Sequence, residues 1–295
     1  MGVLNDLVRG AEFTVPKKKF ARDYQEDAHK ALRGRWGTAI LALLIASVLM
    51  MGAYMAATYA FIWDNASLEV ETEETVENAL LTEKTKQSLI SVTAVFLISV
   101  LIAAPVMFGY ERFNLDLFKG RGVALKTLFS GFQLGSWIRS VGLYIRYLLV
   151  VVAPYNILFM IGYSGVWIGA FMMRDAVEGG GTALLVGGTA LAVVGLVLVP
   201  ASYLFMIVAA YKYSMCFKIF AENPDMSPKE VMQASKKLMK GNKWAFFCLH
   251  CSYIGWALLS ILTCGIGFIW LVPQIRASEA AFYRNISKRR KLGLQ

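Results

Sequence analysis

Gly241-Asn242-Lys243-Trp244 opens the stretch of sequence that decides the fold, because it leads directly into an apolar run from Ala245 to Pro273. The same order of a Gly, a Trp and a long apolar run begins at Gly34-Arg35-Trp36 and again at Gly135-Ser136-Trp137. A phrase that recurs three times indicates one supersecondary unit in three copies. The length of the runs predicts that this unit crosses a membrane.

The composition agrees with a membrane protein. Apolar residues make up 57% of the chain and charged residues 17%, against about 45–50% and 25% in soluble domains. Four apolar stretches reach the roughly 20 residues that one crossing needs: 37–62, 89–110, 147–173 and 183–211. The polar first 36 residues do not match a cleavable signal peptide, so the first span is expected to be its own signal anchor.

The last apolar run is too long for one simple span. It contains Thr263-Cys264-Gly265-Ile266-Gly267, where two glycines lower helix propensity and permit a tight turn. We therefore predict two helices, 245–262 and 266–284, with the second kinked at Pro273. The fold class is then an all-α integral membrane protein with six transmembrane helices, arranged as three hairpin repeats.

The charges predict the orientation. Segments 1–36, 109–140, 211–244 and 274–295 are net positive, whereas 63–88 and 174–182 are net negative. Basic segments stay in the cytoplasm, so both termini are expected inside. The predicted layout of residues 1–295 is a single membrane domain: a cytoplasmic amphipathic N-terminus at 1–36, a first hairpin at 37–110 with an acidic outer loop at 63–88, a cytoplasmic segment and second hairpin at 111–211, a cytoplasmic segment and third hairpin at 212–284, and a basic tail at 285–295.

A short amphipathic cytoplasmic helix is predicted before each hairpin, at 17–33, more loosely at 111–131, and after Ser227. Ser227 and Glu230 have the spacing of a capping box, and Gly241 is expected to end that helix. Such basic amphipathic helices suit the membrane interface and its anionic inner-leaflet lipids; the alternative is packing against other cytoplasmic segments. Trp36, Trp137 and Trp244 are predicted interface anchors.

The chain contains a set of short sequence motifs: Tyr213-Ser214-Met215, Ala221-Glu222-Asn223-Pro224, Ser235-Lys236-Lys237-Leu238-Met239-Lys240-Gly241, Ile254-Gly255-Trp256, Gly265-Ile266-Gly267, Ala281-Phe282-Tyr283 and the early Ala31-Leu32-Arg33-Gly34. Together these motifs resemble those of a bacterial membrane family, domain of unknown function 975. The resemblance implies a multi-pass protein of the bacterial cytoplasmic (inner) membrane. It implies no activity, substrate or catalytic residue.

Ionisable and polar residues within or beside the spans are the candidate site, because they are costly in a bilayer. Arg276 and Glu279 are close enough in sequence to pair on one helix, as are Arg112 and Asp116. We expect one cytoplasm-facing polar cavity to be lined by Arg112, Asp116, Arg146, Asn156, Lys212, Arg276 and Glu279. Structural ion pairs and snorkelling are the alternative, and Asn156 could instead bond a carbonyl that Pro154 frees.

No metal site, cofactor or catalytic residue is predicted. On a helix, Cys248 and Cys251 share a face from which His250 points away, so the three cannot converge on one ion. The chain has only two His and none of the common catalytic spacings. An intramembrane enzyme acting on lipid head groups through Glu111, Asp116 or Glu279 is the remote alternative.

The leading functional hypothesis is a non-enzymatic membrane scaffold, sensor or accessory protein that contacts the lipid bilayer and another membrane protein. The alternative is a carrier or binder of a lipid-like or amphiphilic molecule. It follows from the prolines at corresponding places in the inward-going helices, a pattern seen at transport sites. The basic inner surface is explained by topology, so no nucleic acid is expected.

Overall fold

The computed structural model describes residues 19–66, 74–120 and 124–291, and within these ranges the chain is helical with no strand. The α-helices are α1 (Ala21–Leu32), α2 (Trp36–Ala66), α3 (Glu74–Phe118), α4 (Leu134–Tyr147), α5 (Ala153–Asp175), α6 (Gly181–Tyr213), α7 (Cys216–Glu222), α8 (Pro228–Met239), α9 (Lys243–Cys251), α10 (Ile254–Leu262) and α11 (Phe268–Lys291). A 3₁₀ helix at Leu125–Phe132 and π-helical turns at Leu148–Val152 and Ala176–Gly180 complete them. The predicted all-α class is confirmed.

Four helical segments of the described chain are long and apolar enough to cross a membrane: Thr93–Phe118, Leu134–Gly179, Gly181–Glu222 and Lys243–Leu262. The bent pair Ala21–Leu32 and Trp36–Gly52, with 96° between its helices, would make a fifth. The predicted sixth span, 266–284, coincides largely with α11 and is not among them, because Arg276, Glu279 and Arg284 lie within it.

The break predicted in the last apolar run is present. α10 ends at Leu262 and α11 begins at Phe268, and Cys264 and Gly265 between them have φ of 52° and 87°. Gly267 is also required near this break, because a Cβ at this position would lie 2.5 Å from Ser260 Oγ. A further interruption at Ser252 and Tyr253, which the sequence did not predict, separates α9 from α10.

The helix ends differ from three of the segment bounds that charge and hydropathy predicted. The third span was expected from 147, yet α4 begins at Leu134 and continues through the π-helical turn into α5. The looser amphipathic segment at 111–131 is divided, because α3 runs to Phe118 and a separate 3₁₀ helix follows from Leu125. The acidic loop at 63–88 is helical up to Ala66 and again from Glu74, while 67–73 lie outside the described residues.

Contacts divide the chain into two compact units. Unit 1 comprises the described residues within 1–43, 114–123 and 240–295, and unit 2 those within 44–113 and 124–239. In unit 1, α1 packs on α9 and α11, and α10 packs on α11. In unit 2, α5 packs along α6, and α8 contacts α4, α6 and α7.

The α5–α6 hairpin is held by glycines at intervals of seven residues. Gly162 and Gly169 of α5 and Gly188 and Gly195 of α6 are all buried. A Cβ at Gly169 would lie 2.5 Å from the Gly188 carbonyl oxygen, so the backbones meet with no room for a larger residue. Close contact through small residues is the usual way that helices associate in membranes.

The amphipathic helices bury their apolar stripes in the protein, which is the alternative to shallow insertion in the membrane interface. On α8, Val231 is 0% and Leu238 4% exposed, and Ser235 Oγ donates to the Lys212 carbonyl at 3.3 Å. On α1, Ala28 and Leu32 are fully buried, whereas Phe20, placed in the same stripe by the sequence, is 78% exposed. In the looser segment, too, Leu128 is buried and Phe129 is exposed.

The predicted capping box of α8 is confirmed. The Ser227 backbone N–H donates to Glu230 Oε2 at 2.9 Å, and the Glu230 N–H points to Ser227 Oγ at 3.4 Å. These bonds to Ser227 lower the pKa of the Glu230 carboxyl. Gly241, with φ of 81°, follows the helix as expected.

Candidate functional site

Unit 1 contains a buried polar network where α1, the α9–α10 corner and α11 meet. The hydroxyl oxygens of Tyr253 and Ser278 lie 2.5 Å apart. Ser278 Oγ also approaches the Tyr24 carbonyl at 3.3 Å, and the Tyr24 hydroxyl donates to Asn285 Oδ1 at 3.4 Å. The network is buried: Tyr24, Tyr253 and Ser278 are at most 3% exposed, and residues 277–283 of α11 are all buried. Such a network fixes how the three segments meet.

Next to this network, Glu279 joins two basic side chains. Arg276 donates to Glu279 Oε2 at 3.2 Å, and His250 Nε2 lies 3.2 Å from Glu279 Oε1. The Glu279 side chain is 9% exposed, His250 33% and Arg276 36%. The ion pair predicted from the Arg276 and Glu279 spacing is therefore present. His250, which the sequence analysis considered only as a metal ligand and rejected, is its third member.

Unit 1 also contains a cleft of about 510 Å³. Its walls come from α10, the turn after it, the start of α11 and one residue of α1: Gln25, Trp256, Leu259, Ser260, Thr263, Gly267, Trp270, Leu271 and Gln274. None of these residues carries a charge. Its volume is in the range of about 300–1,000 Å³ typical of small-molecule sites.

The polar groups of the cleft are of two kinds. Ser260 donates to the Trp256 carbonyl and Thr263 to the Ser260 carbonyl, so these hydroxyls serve their own helix. The carboxamide of Gln25 donates to Ser252 Oγ at 2.8 Å and retains an acceptor oxygen. Together with Gln274, it supplies the uncharged hydrogen-bonding capacity of an otherwise apolar cleft.

Unit 2 has its own buried charges. Lys218 Nζ lies 3.0 Å from Glu111 Oε2, and their side chains are only 2% and 4% exposed. Two aromatic rings from the same elements are in contact: Phe108 and Phe220 are centred 4.9 Å apart, with 59° between their planes. A buried pair of this kind requires both partners, because one alone would leave a charge in a dry interior.

A proline site in unit 2 is completed by a tryptophan. Pro105 lies inside α3 and has no N–H, which leaves the carbonyl of Leu101 without its helical donor. Trp137 Nε1 donates to this carbonyl at 3.1 Å. The 3₁₀ helix crosses α3 at the same place, where a Cβ at Gly109 or Gly131 would clash with the backbone of Leu128 or Pro105.

The predicted cavity residues are distributed over both units. Arg112, Arg146, Asn156 and Lys212 belong to unit 2, and Asp116, Arg276 and Glu279 to unit 1. Asn156 donates to the Val152 carbonyl at 3.0 Å, four residues back along the helix. Arg146 is exposed, and Lys212 Nζ lies 5.2 Å from the ring centre of Tyr213.

The predicted interface anchors all lie at or near the start of a helix. Trp36 begins α2, Trp137 is in the first turn of α4, and Trp244 is the second residue of α9. Trp244 is 73% exposed, whereas Trp137 is partly buried in its bond to α3. Among the described residues, no group of three or more His, Cys, Asp or Glu side chains could hold a metal ion.

The fold and these sites define the class: in its described ranges the chain is all-helical, with four or five helices long and apolar enough to cross a membrane. Within that class, the chain belongs to the family described as "Protein of unknown function (DUF975)", whose model matches residues 20–290. The comparisons with curated proteins and with solved structures gave no match.

Sequence reasoning missed Lys218, His250 and the cleft. Lys218 lies in Cys216–Glu222, where every residue up to Ala221 is buried, and a lysine in such an apolar run was the available signal. His250 was judged only as a metal ligand. The cleft joins residues from Gln25 to Gln274, and no local pattern brings these together.

Proposed function

We propose that this protein is a non-enzymatic, multi-pass protein of the bacterial inner membrane that binds an uncharged, single-chain amphiphile in the cleft between α10 and α11. This is the lipid-binding alternative of the sequence analysis, with the binding site moved from the predicted charged cavity to an uncharged cleft. Six spans, three hairpin repeats and cytoplasmic termini remain part of the proposal, supported by the positive-inside charge pattern.

The cleft is the observation that carries the proposal. Trp256 is 62% and Trp270 52% exposed, and Leu259 beside them is 54% exposed. Two indole rings and a leucine offer a hydrocarbon chain a large apolar contact area, with about 25 cal/mol gained per Å² buried. The carboxamides of Gln25 and Gln274 can bond a hydroxyl or ester head group, and the absence of charge from the lining disfavours an ionic one.

Photo-crosslinking tests the proposal. The full chain in phosphatidylcholine nanodiscs is exposed to a monoacylglycerol with a diazirine in its chain, and labelled peptides are mapped by mass spectrometry. We expect saturable labelling of 254–274 that excess unlabelled monoacylglycerol removes. Trp167, also 62% exposed but in unit 2, is the internal control and should give only non-saturable labelling.

Two neighbouring leucines provide matched variants. Leu259 lines the cleft, whereas Leu258, 58% exposed, does not. Leu259→Trp should fill the cleft and remove most of the saturable label, and Leu258→Trp should leave it unchanged. Equal labelling of both variants, or labelling that unlabelled amphiphile does not reduce, would overturn the proposal.

The scaffold hypothesis is tested in parallel by native mass spectrometry of the protein extracted with its own lipids. One retained amphiphile, lost in Leu259→Trp, supports the binding function. A stoichiometric protein partner that Arg276→Gln or Glu279→Gln releases would instead support the scaffold and make the cleft incidental.

A further inference from the structure

Independently of the cleft, we infer that His250 and Glu279 form a proton-binding site that links α9 to α11. The hydrogen-bond geometry around the His250 imidazole supports this site. The bound proton does not depend on whether an amphiphile occupies the cleft.

The contact with the Phe246 carbonyl determines the tautomer of His250. Its Nδ1 lies 3.0 Å from the carbonyl oxygen of Phe246, four residues earlier in α9. A carbonyl oxygen can only accept a hydrogen bond, so Nδ1 must carry a hydrogen. The ring of Phe246, centred 4.5 Å away and edge-on, holds the imidazole in this orientation.

The contact between His250 and Glu279 requires one additional proton. Nε2 lies 3.2 Å from Glu279 Oε1. A neutral imidazole with its hydrogen on Nδ1 has only a lone pair at Nε2, and a carboxylate oxygen also has only lone pairs. The contact is repulsive unless one more proton lies between the two atoms, so this arrangement binds that proton.

Arg276 determines that the proton belongs to His250 and not to Glu279. Arg276 donates to the other carboxylate oxygen of Glu279 at 3.2 Å, which stabilises the ionised carboxylate. The state is therefore an imidazolium between the Phe246 carbonyl and Glu279. A third of the His250 side-chain surface is not covered by protein.

The other titratable groups of this part of unit 1 complete the electrostatic setting. Tyr253, at the α9–α10 corner, interacts with the Glu279 charge. Asp23 and Asp27 of α1 and Arg289 of α11 interact with Tyr24, which belongs to the adjoining network. Loss of the proton would replace an attraction between His250 and Glu279 by a repulsion, so the site couples proton binding to the contact between α9 and α11.

The sequence offers a clean test, because the chain has two His residues and His29 is exposed on α1. In the variant His29→Asn with 15N-labelled histidine, every imidazole signal arises from His250. We expect the spectrum of an imidazolium with a hydrogen-bonded Nδ1 to persist at pH 7.5, where a free imidazole of pKa about 6.5 is mostly neutral. A neutral ring at that pH, with its hydrogen on either nitrogen, would overturn the inference.

A second variant isolates the proton site. With Glu279→Gln added, the side-chain amide can donate to Nε2, so His250 should become neutral with its hydrogen on Nδ1 at the same pH. Asp225→Asn, which removes a carboxylate in unit 2 that pairs with Arg139, should leave the signals unchanged. An imidazolium that persists in Glu279→Gln would show that Glu279 does not hold the proton.

Discussion

The Lys218–Glu111 pair makes the strongest quantitative prediction about the stability of unit 2. Its charged atoms are 3.0 Å apart and both side chains are less than 5% exposed. Removing one partner leaves the other charge buried, which costs about 3–5 kcal/mol. Lys218→Met should therefore lower the free energy of unfolding by that amount.

The double variant separates the loss of a pair from the loss of a side chain. Replacing both partners, as in Lys218→Met with Glu111→Leu, removes both charges and keeps apolar volume. The double variant should be about as stable as the natural protein or more stable, since the desolvation of two ions is then avoided. Stability that rises when a second mutation is added to a damaging first one is a signature of a buried pair.

Unfolding in mixed detergent micelles, with increasing fractions of sodium dodecyl sulfate and detection by circular dichroism, measures these differences. Arg139→Met is the matched control, because Arg139 pairs with Asp225 at 2.8 Å while its side chain is 46% and that of Asp225 95% exposed. An exposed pair contributes about 0–1 kcal/mol. A loss in Lys218→Met no larger than in Arg139→Met would refute the reasoning, as would a double variant less stable than Lys218→Met.

Three further predictions follow from unit 2. Trp137→Phe removes the donor to the Leu101 carbonyl and should lower the free energy of unfolding by about 0.5–1.5 kcal/mol in the same assay. In a Pro105→Ala background the backbone N–H of residue 105 can donate to that carbonyl, so the loss should disappear. An unchanged loss would show that Trp137 does not replace the missing helical donor. Gly131→Ala places a Cβ against the Pro105 carbonyl and should markedly destabilise the protein. Gly135→Ala, where a Cβ would have no atom within 4 Å, should not. Similar stability of the two variants would argue against the close crossing of the 3₁₀ helix and α3. Because the pKa of Glu230 is lowered in the folded protein, its capping contribution to stability is complete above the unfolded pKa and is lost as pH falls through the folded pKa. Amide exchange in α8, corrected for intrinsic rates, should therefore accelerate in acid in the natural protein but not in Glu230→Gln. Identical pH profiles for the two proteins would count against the cap.

The local features of the fold were predictable because they depend on residues close in sequence. The break at 263–267 follows from two glycines in an apolar run, and the cap of α8 from the spacing of Ser227 and Glu230. The pairing of Arg276 with Glu279 follows from one turn of helix. The helix boundaries at 134 and 118 were less predictable, because charged and polar residues continue a helix as readily as they form a loop.

The sequence by itself determined that this is an all-helical, membrane-type chain, since composition and the length of apolar runs suffice for that conclusion. Only the tertiary structure decided what each polar residue does. Lys218 meets Glu111 across more than a hundred residues, and Gln25 joins a cleft made by α10 and α11. Phe246 and Glu279, at its two nitrogens, distinguish His250 from an ordinary packed histidine. Contacts at such separations depend on how helices pack side by side, which hydrophobic periodicity leaves open.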